Sequence, residues 1–439
     1  MRLKVRFCFL TTLIASFSIL LFTTSCRAEK TETLQLLGLF GDVFDRIRTD
    51  HVEEVNDDEL IEAAINGMLV SLDPHSGYMN KKSFKEMQVQ TKGEFGGLGI
   101  EVTMENGLVR VIAPIDDTPA FKAGIKAGDY ISYIDDSAVM GLTLSEAVDK
   151  MRGKVGTKVK LTIFREELSE PLDIEITRDI IKIKSARVRP EGDDIVYIRL
   201  TQFTEQTTKL MRSEFKKIKS KMPKLRGVIL DLRNNPGGLL EQSVSVADAF
   251  LKQGEVVSTR ERDPQNTKRY SAQSGNEIVG DNVPVVVLIN NGSASASEIV
   301  SGALQDHKRA IIMGTKTFGK GSVQTVIPIP DHGAIRLTTA RYYTPSGHSI
   351  QNKGIIPDIE VKPAKIEPIK INDKIRSEDK LRKRLENLQD KKKDKNDKKS
   401  DDEKLSSDND ESNVDDFQLQ RAIDLIHGIN VYEQVLSKK

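Results

Sequence analysis

Two apolar runs limit the fold of this chain more than any other feature: "RGVILDLR" over 226–233 and "VPVVVLIN" over 283–290. Neither alternates polar with apolar residues, as a strand with one wet face would. Each reads as a strand buried on both faces. Their neighbours supply a rhythm. "DIVYIRL" (194–200) is a further strand, "EQTTKLMRSEFKKIKSKM" (205–222) a helix, and another helix follows Asn234-Asn235-Pro236-Gly237-Gly238. Strand and helix alternate over residues 180–365, which predicts an α/β core. With 439 residues, 38% of them hydrophobic, the chain can bury at least one substantial core and hold further domains.

Residues 85–178 follow a different pattern. "GGLGIEVTMENGLVRVIAPI" gives two strands around Glu105-Asn106-Gly107, a hairpin turn signal. "TPAFKAGIKAGDYISYIDD" gives a short helix, a glycine turn and a strand. "LTLSEAVDKMRG" is a helix with Leu144, Ala147, Val148 and Met151 on one face, and "TKVKLTIFR" is an alternating strand. A compact domain of short strands and two helices is predicted. Before it, residues 31–84 carry two amphipathic helices that are expected to pack together. Leu36, Leu39, Phe40, Val43, Phe44 and Ile47 stripe the first.

The ends have their own signals. Arg2, Lys4 and Arg6 precede an uncharged, mostly apolar stretch from Phe7 to Phe22, the make-up of a secretory leader. Residues 1–26 are therefore read as a signal peptide or N-terminal anchor. Thr23 stands where a lipoprotein signal would have an aliphatic residue before Cys26. Cys8 and Cys26 are the only cysteines, so the body has no disulfide framework, Cys nucleophile or thiolate metal site. Residues 374–416 are charged and low in complexity. In "DKKKDKNDKKSDDEK", thirteen of fifteen residues are charged, of both signs, which predicts a solvated, disordered linker. Helical periodicity returns over 417–438. The apolar stripes of both terminal segments have no obvious home in the two domains, and self-association is the expected use. Lys+Arg (66) and Asp+Glu (65) nearly cancel, so charge gives no case for a nucleic-acid partner.

"NNGSASASEIVSGALQDH" (290–307) raises the question of chemistry. Ser295-Ala296-Ser297-Glu298 fits a helix capping box, and on those residues alone Ser295 is a cap. As a nucleophile it needs a base. His307 would lie about three turns along the same helix, out of reach. His75 and His348 remain candidates if the fold brings them close. Lys320, glycine-flanked in "GTKTFGKGSVQTV", is the other: a lysine in an apolar setting can act as the neutral amine. Gln324 shares its strand face and can orient it. Oxyanion donors would be the Ala296 N–H at the helix start and Gly238, after Gly237, in "NNPGG".

Taken together, these stretches resemble the carboxyl-terminal processing peptidases, tail-specific serine proteases with a Ser-Lys dyad. "DPHSGYM", "GGLGI", "TPAFKAGIKAGDYI", "MRGKVGTKVKLTI", "LDLRNNPGG", "NNGSASASEIVSGALQDHKRA", "GTKTFGKGSVQTV" and "IRLTTARYYTPSGHSIQNKGIIPD" occur in the family's order over roughly residues 30–365. The resemblance implies an α/β protease core of the ClpP/crotonase-like type, an inserted PDZ domain over 85–178, and helical N- and C-terminal extensions. It also implies that Ser295, the middle of the three serines, is the nucleophile. Lys320 would be its base and Gln324 the residue that orients the lysine. Ala296 and Gly237-Gly238 fall on oxyanion positions, and Asp306 on a supporting one. No metal or cofactor is implied. In the PDZ domain, Leu98, Gly99 and Ile100 would cup a substrate's terminal carboxylate, with Leu144, Val148 and Met151 lining the groove. The expected protein is an exported endopeptidase, periplasmic or otherwise extracytoplasmic and possibly held at the inner membrane by its N-terminus. Its partners would be protein tails, a second copy of itself, and an adaptor if one is used. A non-catalytic PDZ adaptor and a hydratase-like enzyme are the competing classes. The Ser295/Lys320/Gln324 set argues against the first and the PDZ domain against the second.

Overall fold

The computed structural model describes residues 32–365, apart from 116, 167 and 169, together with 416–437. The leader read over 1–26 and the charged stretch up to residue 415 lie outside the described residues. Among those described, no helix is long and apolar enough to cross a membrane. The chain divides into two compact units, 1–84 with 324–338, and 85–323 with 339–439.

In the larger unit the two apolar runs are neighbouring strands, Gly227–Asp231 and Val285–Ile289, with every residue buried. They lie at the centre of a six-stranded sheet ordered Ala186–Glu191, Ile195–Leu200, Gly227–Asp231, Val285–Ile289, Ile311–Gly314, Ile359–Glu360. Only the first pairing is antiparallel. Ile198, Leu200, Val228, Leu230, Val287 and Ile289 face helices Thr207–Lys219, Leu240–Asp248 and Ala296–Asp306. The opposite face, with Ile195, Tyr197, Ile229, Val286, Leu288 and Met313, is covered by the C-terminal helix Phe417–Leu436 through Leu419, Ala422 and Ile426. That stripe was expected to serve self-association. It instead completes the core, because a buried parallel sheet needs cover on both faces and the other three helices cover only one. Burial of Leu419 and Ile426 contributes about 1.5–3 kcal/mol each, which stabilises a helix that would be marginal alone.

The inserted module enters and leaves through one short antiparallel ladder, Glu94–Gly97 against Asp179–Lys182. Beyond it, strands Ile100–Glu105, Leu108–Pro114, Tyr130–Ile134, Lys158–Phe164 and Leu172–Thr177 form an antiparallel sheet. Val109, Val111, Ile131, Leu161 and Ile163 fill its core. The predicted hairpin turns at Asn106-Gly107, both at positive φ, as a tight two-residue turn requires. Helix Leu144–Met151 starts at a full capping box between Thr143 and Glu146.

The smaller unit departs from the expected helical region. The helix over 32–50 and helix Asp57–Val70 share an Arg48–Asp57 ion pair at 2.9 Å. They do not bury their stripes against each other: Leu36, Leu39, Phe40 and Val43 stay exposed. Strand Gly77–Met79 then pairs with Ala334–Arg336. A further helix, Lys81–Lys92, runs across the expected boundary at residue 84 and leads into the inserted module.

Candidate active site

The strand Val285–Ile289 ends in a turn that delivers three serines to the start of helix Ala296–Asp306. Two of their hydroxyls are committed to backbone. Ser293 Oγ donates to the Leu232 carbonyl at 2.8 Å and accepts from Asn290 N–H, and Ser297 Oγ donates to the Asn235 carbonyl at 2.9 Å. Ser295 differs. Its backbone sits at φ 55 and ψ −112, a strained region for a residue with a Cβ, costing on the order of 1–3 kcal/mol. It and Glu298 form the capping box read in the sequence, with the Glu298 carboxylate reaching back to the Ser295 N–H at 2.8 Å. The Glu298 N–H goes to the Ser295 carbonyl at 2.9 Å.

Glu298 holds this strain in place. Its carboxylate is fully buried and receives four donors. Oε2 accepts from the N–H of Ser295 at 2.8 Å and of Lys320 at 2.9 Å; Oε1 accepts from Thr317 Oγ1 at 2.6 Å and the Gly319 N–H at 2.7 Å. One carboxylate oxygen therefore ties the backbones of residues 295 and 320 together. Burial holds the Glu298 carboxyl above its usual range, and the four hydrogen bonds offset only part of that rise. In the sequence Glu298 reads only as half of a capping box; its hold on the loop 317–320 depends on tertiary contacts.

The turn after Gly227–Asp231 approaches from the other side. A Cβ on Gly237 would lie 2.9 Å from Ser295 Cβ and 3.0 Å from the Ala296 nitrogen, and one on Gly238 only 2.1 Å from the Phe203 carbonyl oxygen. Both glycines hold positive φ, so no other residue fits either place. The Gly237 N–H is taken by Asn235 Oδ1 at 3.0 Å. The N–H groups of Gly238 and Ala296 have no protein acceptor among the described residues. The two expected glycines are thus not equivalent: Gly238 and Ala296 offer free donors, and Gly237 supplies close approach.

The remaining expected residues are spread more widely. Lys320 is half-buried in the loop 315–321. Asp306 Oδ2 accepts from Ser346 N–H at 2.9 Å and Ser346 Oγ at 2.7 Å, a turn-bracing role. His348 Nδ1 lies 2.7 Å from Ser346 Oγ, and His307 Nε2 lies 2.7 Å from the Glu255 carbonyl oxygen. In the smaller unit, Gln324 Nε2 donates to Thr338 Oγ1 at 3.3 Å, which donates to Asp73 Oδ1 at 3.0 Å. Burial raises the Asp73 carboxyl, but donors from Ser76, His75 and Thr338 hold it below its ordinary value. Two neighbours escaped the reading of the sequence. One is Thr338 beneath Gln324. The other is Tyr342, buried on strand Gly333–Tyr343, whose N–H donates to the Gly321 carbonyl at 2.7 Å, one residue from Lys320. It stands in "TTARYYTPSG" with nothing local to single it out.

In the inserted module, strand Ile100–Glu105 is at the sheet edge, paired only with Leu108–Pro114. Ahead of it, the N–H groups of Leu98 and Gly99 have no protein acceptor among the described residues. Leu144 and Val148 are half-buried on the facing helix, whereas Met151 is buried with the core rather than lining an open groove.

Comparison with known proteins agrees with this organisation. Residues 194–361 match peptidase family S41, residues 96–176 a PDZ domain, and residues 22–83 the N-terminal domain of the activating protease CtpB. The chain is 57% identical over 363 residues to the carboxy-terminal-processing protease of Bartonella bacilliformis, covering 82% of this chain and 83% of that one. It is 33% identical over 367 residues to the carboxy-terminal processing protease CtpA of Bacillus subtilis, covering 82% and 78%. A solved photosystem II D1 C-terminal processing protease aligns with a TM-score of 0.42 at 31% identity, over 74% of this chain and 92% of that one. A chain so similar to such an enzyme over four-fifths of its length, with a PDZ domain ahead of the α/β core, belongs to peptidase family S41 and is a serine-type carboxy-terminal-processing protease.

Proposed function

We propose that this protease works through a Ser295–Lys320 dyad and selects substrates by their free C-terminus. One observation carries the dyad: the hydroxyls of Ser293 and Ser297 are given to the backbone carbonyls of Leu232 and Asn235, and the carboxylate that holds the Ser295 N–H also holds the N–H of Lys320. In this reading neutral Lys320 takes the Ser295 proton as Oγ bonds to the scissile carbonyl carbon. The carbonyl electron pair moves onto oxygen, facing the Ala296 and Gly238 N–H groups. The lysinium gives its proton to the leaving amine, and water then releases the acyl group by the reverse route. Gln324 would orient the lysine, with Thr338 and Asp73 supporting it.

Selection by the C-terminus rests on the edge strand Ile100–Glu105 and the two free N–H groups before it. A peptide can add there as a strand with its carboxylate on Leu98 and Gly99 and its side chains against Leu144 and Val148. The leader pattern in residues 1–26 favours an exported enzyme acting on exported proteins. The exposed stripe on the helix over 32–50 suits a second copy of the chain. The parallel sheet and its N–H-lined turn favour a ClpP/crotonase-like core.

The test is covalent labelling with a small fluorophosphonate, together with cleavage of a peptide ending in a free apolar residue. Ser295→Ala should lose both. Ser293→Ala and Ser297→Ala should keep their label in whatever fraction folds. Undiminished labelling of Ser295→Ala would sink the assignment.

A further inference from the structure

We propose that Asp73 is a positioning residue for the base: acting through Thr338, it fixes the polarity of the Gln324 amide, with Nε2 held on Thr338 and Oε1 the end offered to an N–H of Lys320. This rests on the reading that Gln324 orients Lys320, and adds which atom does so and what sets it.

Direction along a hydrogen-bonded chain is set by its end group. An ionised carboxylate only accepts, a hydroxyl has one hydrogen to give, and an amide has a donor end and an acceptor end. Asp73 is such an end group. It opens "DPHS", where Pro74 pre-sets the turn and Oδ1 accepts from the N–H of His75 at 2.8 Å and of Ser76 at 3.0 Å. Ser76 Oγ donates to Oδ2 at 2.8 Å and accepts from the Thr338 N–H at 3.1 Å. Arg336 Nε donates to the His75 carbonyl at 2.9 Å, and strand Gly77–Met79 pairs with Ala334–Arg336. The turn is thus fastened to the strand that carries Thr338. Burial raises the Asp73 carboxyl, but its donors outweigh that, so it is ionised and can only accept. Thr338 gives its one hydroxyl hydrogen to Asp73 Oδ1, at 3.0 Å. Toward Gln324, 3.3 Å away, it therefore presents a lone pair, which only the Nε2 end of the amide can meet. Oε1 then points the other way. That polarity suits a base. A neutral amine has two N–H groups and one lone pair. An amide oxygen takes an N–H and leaves the lone pair for the Ser295 proton, whereas an amide N–H would occupy the lone pair. No proton moves along the chain: Thr338 and Gln324 keep theirs while Lys320 takes that of Ser295.

Thr338→Val keeps the shape of the side chain and the charge of Asp73, and removes the oxygen that links them to the amide. Either end of Gln324 can then face the lysine. Acylation by a small fluorophosphonate should slow by about 10- to 100-fold, as expected when a reacting group loses its alignment. For a peptide substrate kcat should fall while KM stays within about twofold. The sign of the pH effect reports the polarity. An acceptor on the amine favours lysinium, so its loss should move the acid limb of the acylation profile to lower pH, by about 0.5–1. A donor on the amine favours the neutral form, and its loss would move the limb up. The Glu298 carboxylate on the Lys320 N–H is the same in every variant. Thr338→Ser, which keeps the hydroxyl, should restore the limb and most of the rate. Asp73→Ala should slow acylation as Thr338→Val does, and the double variant should be no slower than the slower single one. Rate constants are to be read from the time course, so that partial unfolding lowers the labelled amplitude and not the constant. A native rate constant in Thr338→Val, a limb that stays or rises, or losses that add in the double variant overturn the proposal. Gln324→Ala in parallel separates the two levels. If it is native, the reading of Gln324 falls and the role of Asp73 with it. If it is impaired while Thr338→Val is native, only the role of Asp73 is lost.

Discussion

Lysine and arginine carry the same charge, yet only one of them can give up its proton near neutral pH. If Lys320 is the base, Lys320→Arg should be as inactive as Lys320→Ala, with acylation reduced on the order of 10²-fold or more. If it were only a positive clamp, arginine would serve. Single-turnover acylation on the two variants decides between these; near-native turnover by Lys320→Arg would point to His75 or His348. Residue-scale legibility in the sequence followed a simple division. Groups that act through local geometry were readable: the positive-φ glycines at 237 and 238 and the Ser295-to-Glu298 spacing. Partners fixed by strands far apart in sequence were not. The reach of Glu298 to Thr317 and Gly319, the Tyr342 N–H on the Gly321 carbonyl, and the Thr338 link between Gln324 and Asp73 have no local signature. The same limit explains why Gly237 and Gly238 read alike until the Asn235 side chain was seen to occupy one of their N–H groups.

At the scale of elements, the apolar runs gave the central strands and the Asn-Gly pair gave the hairpin, because burial and turn chemistry are written along the chain. The destination of the C-terminal helix was not legible: a stripe of Leu419, Ala422 and Ile426 states that something covers it, not what. Its docking is pinned at one end by Arg233, which reaches Asp416 at 2.6 Å and Asp231 at 2.7 Å just before the "NNPGG" turn. Burial raises the Asp416 carboxyl, but the Arg233 hydrogen bond and the Leu419 and Gln418 N–H groups outweigh it and hold the group below its ordinary value of 3.8. A carboxyl lowered on folding adds stability that is complete above its unfolded pKa and is lost as pH falls through the folded one. The helix should therefore stay docked down to about pH 4 and loosen below it. Hydrogen exchange of residues 417–426 across pH would show this as falling protection. Asp416→Asn should exchange faster already at neutral pH and show a smaller acid step. Equal protection of the variant at pH 7 would mean that apolar packing alone seats the helix.

For the whole molecule, the inserted module and the "NNPGG" turn meet at one strip of backbone. The Glu205 N–H donates to the Thr91 carbonyl at 3.0 Å, and Gly93 lies hard against the Thr204 side chain. The next residue back, Phe203, donates to the Gly237 carbonyl and accepts from Leu239 N–H, both at 2.9 Å, bracketing Gly238. A shift of the module on its ladder would thus be felt at the Gly238 N–H, the proposed oxyanion donor. Tail binding can move that equilibrium only if the tail binds one position of the module better than another. Gly97 and Asp179 face each other in the ladder, so a two-residue Asn-Gly turn can replace residues 98–178 and leave the core intact. In the full chain, a saturating peptide with a free apolar C-terminus should speed labelling of Ser295 by a small fluorophosphonate, and the same peptide as its C-terminal amide should not. The shortened chain should label at a fixed rate whatever peptide is added, and should cleave free and amidated substrates equally. If the free peptide leaves labelling of the full chain unchanged while the shortened chain still loses its preference for free tails, the module tethers substrate without gating the site, and the contact through Phe203 is only structural.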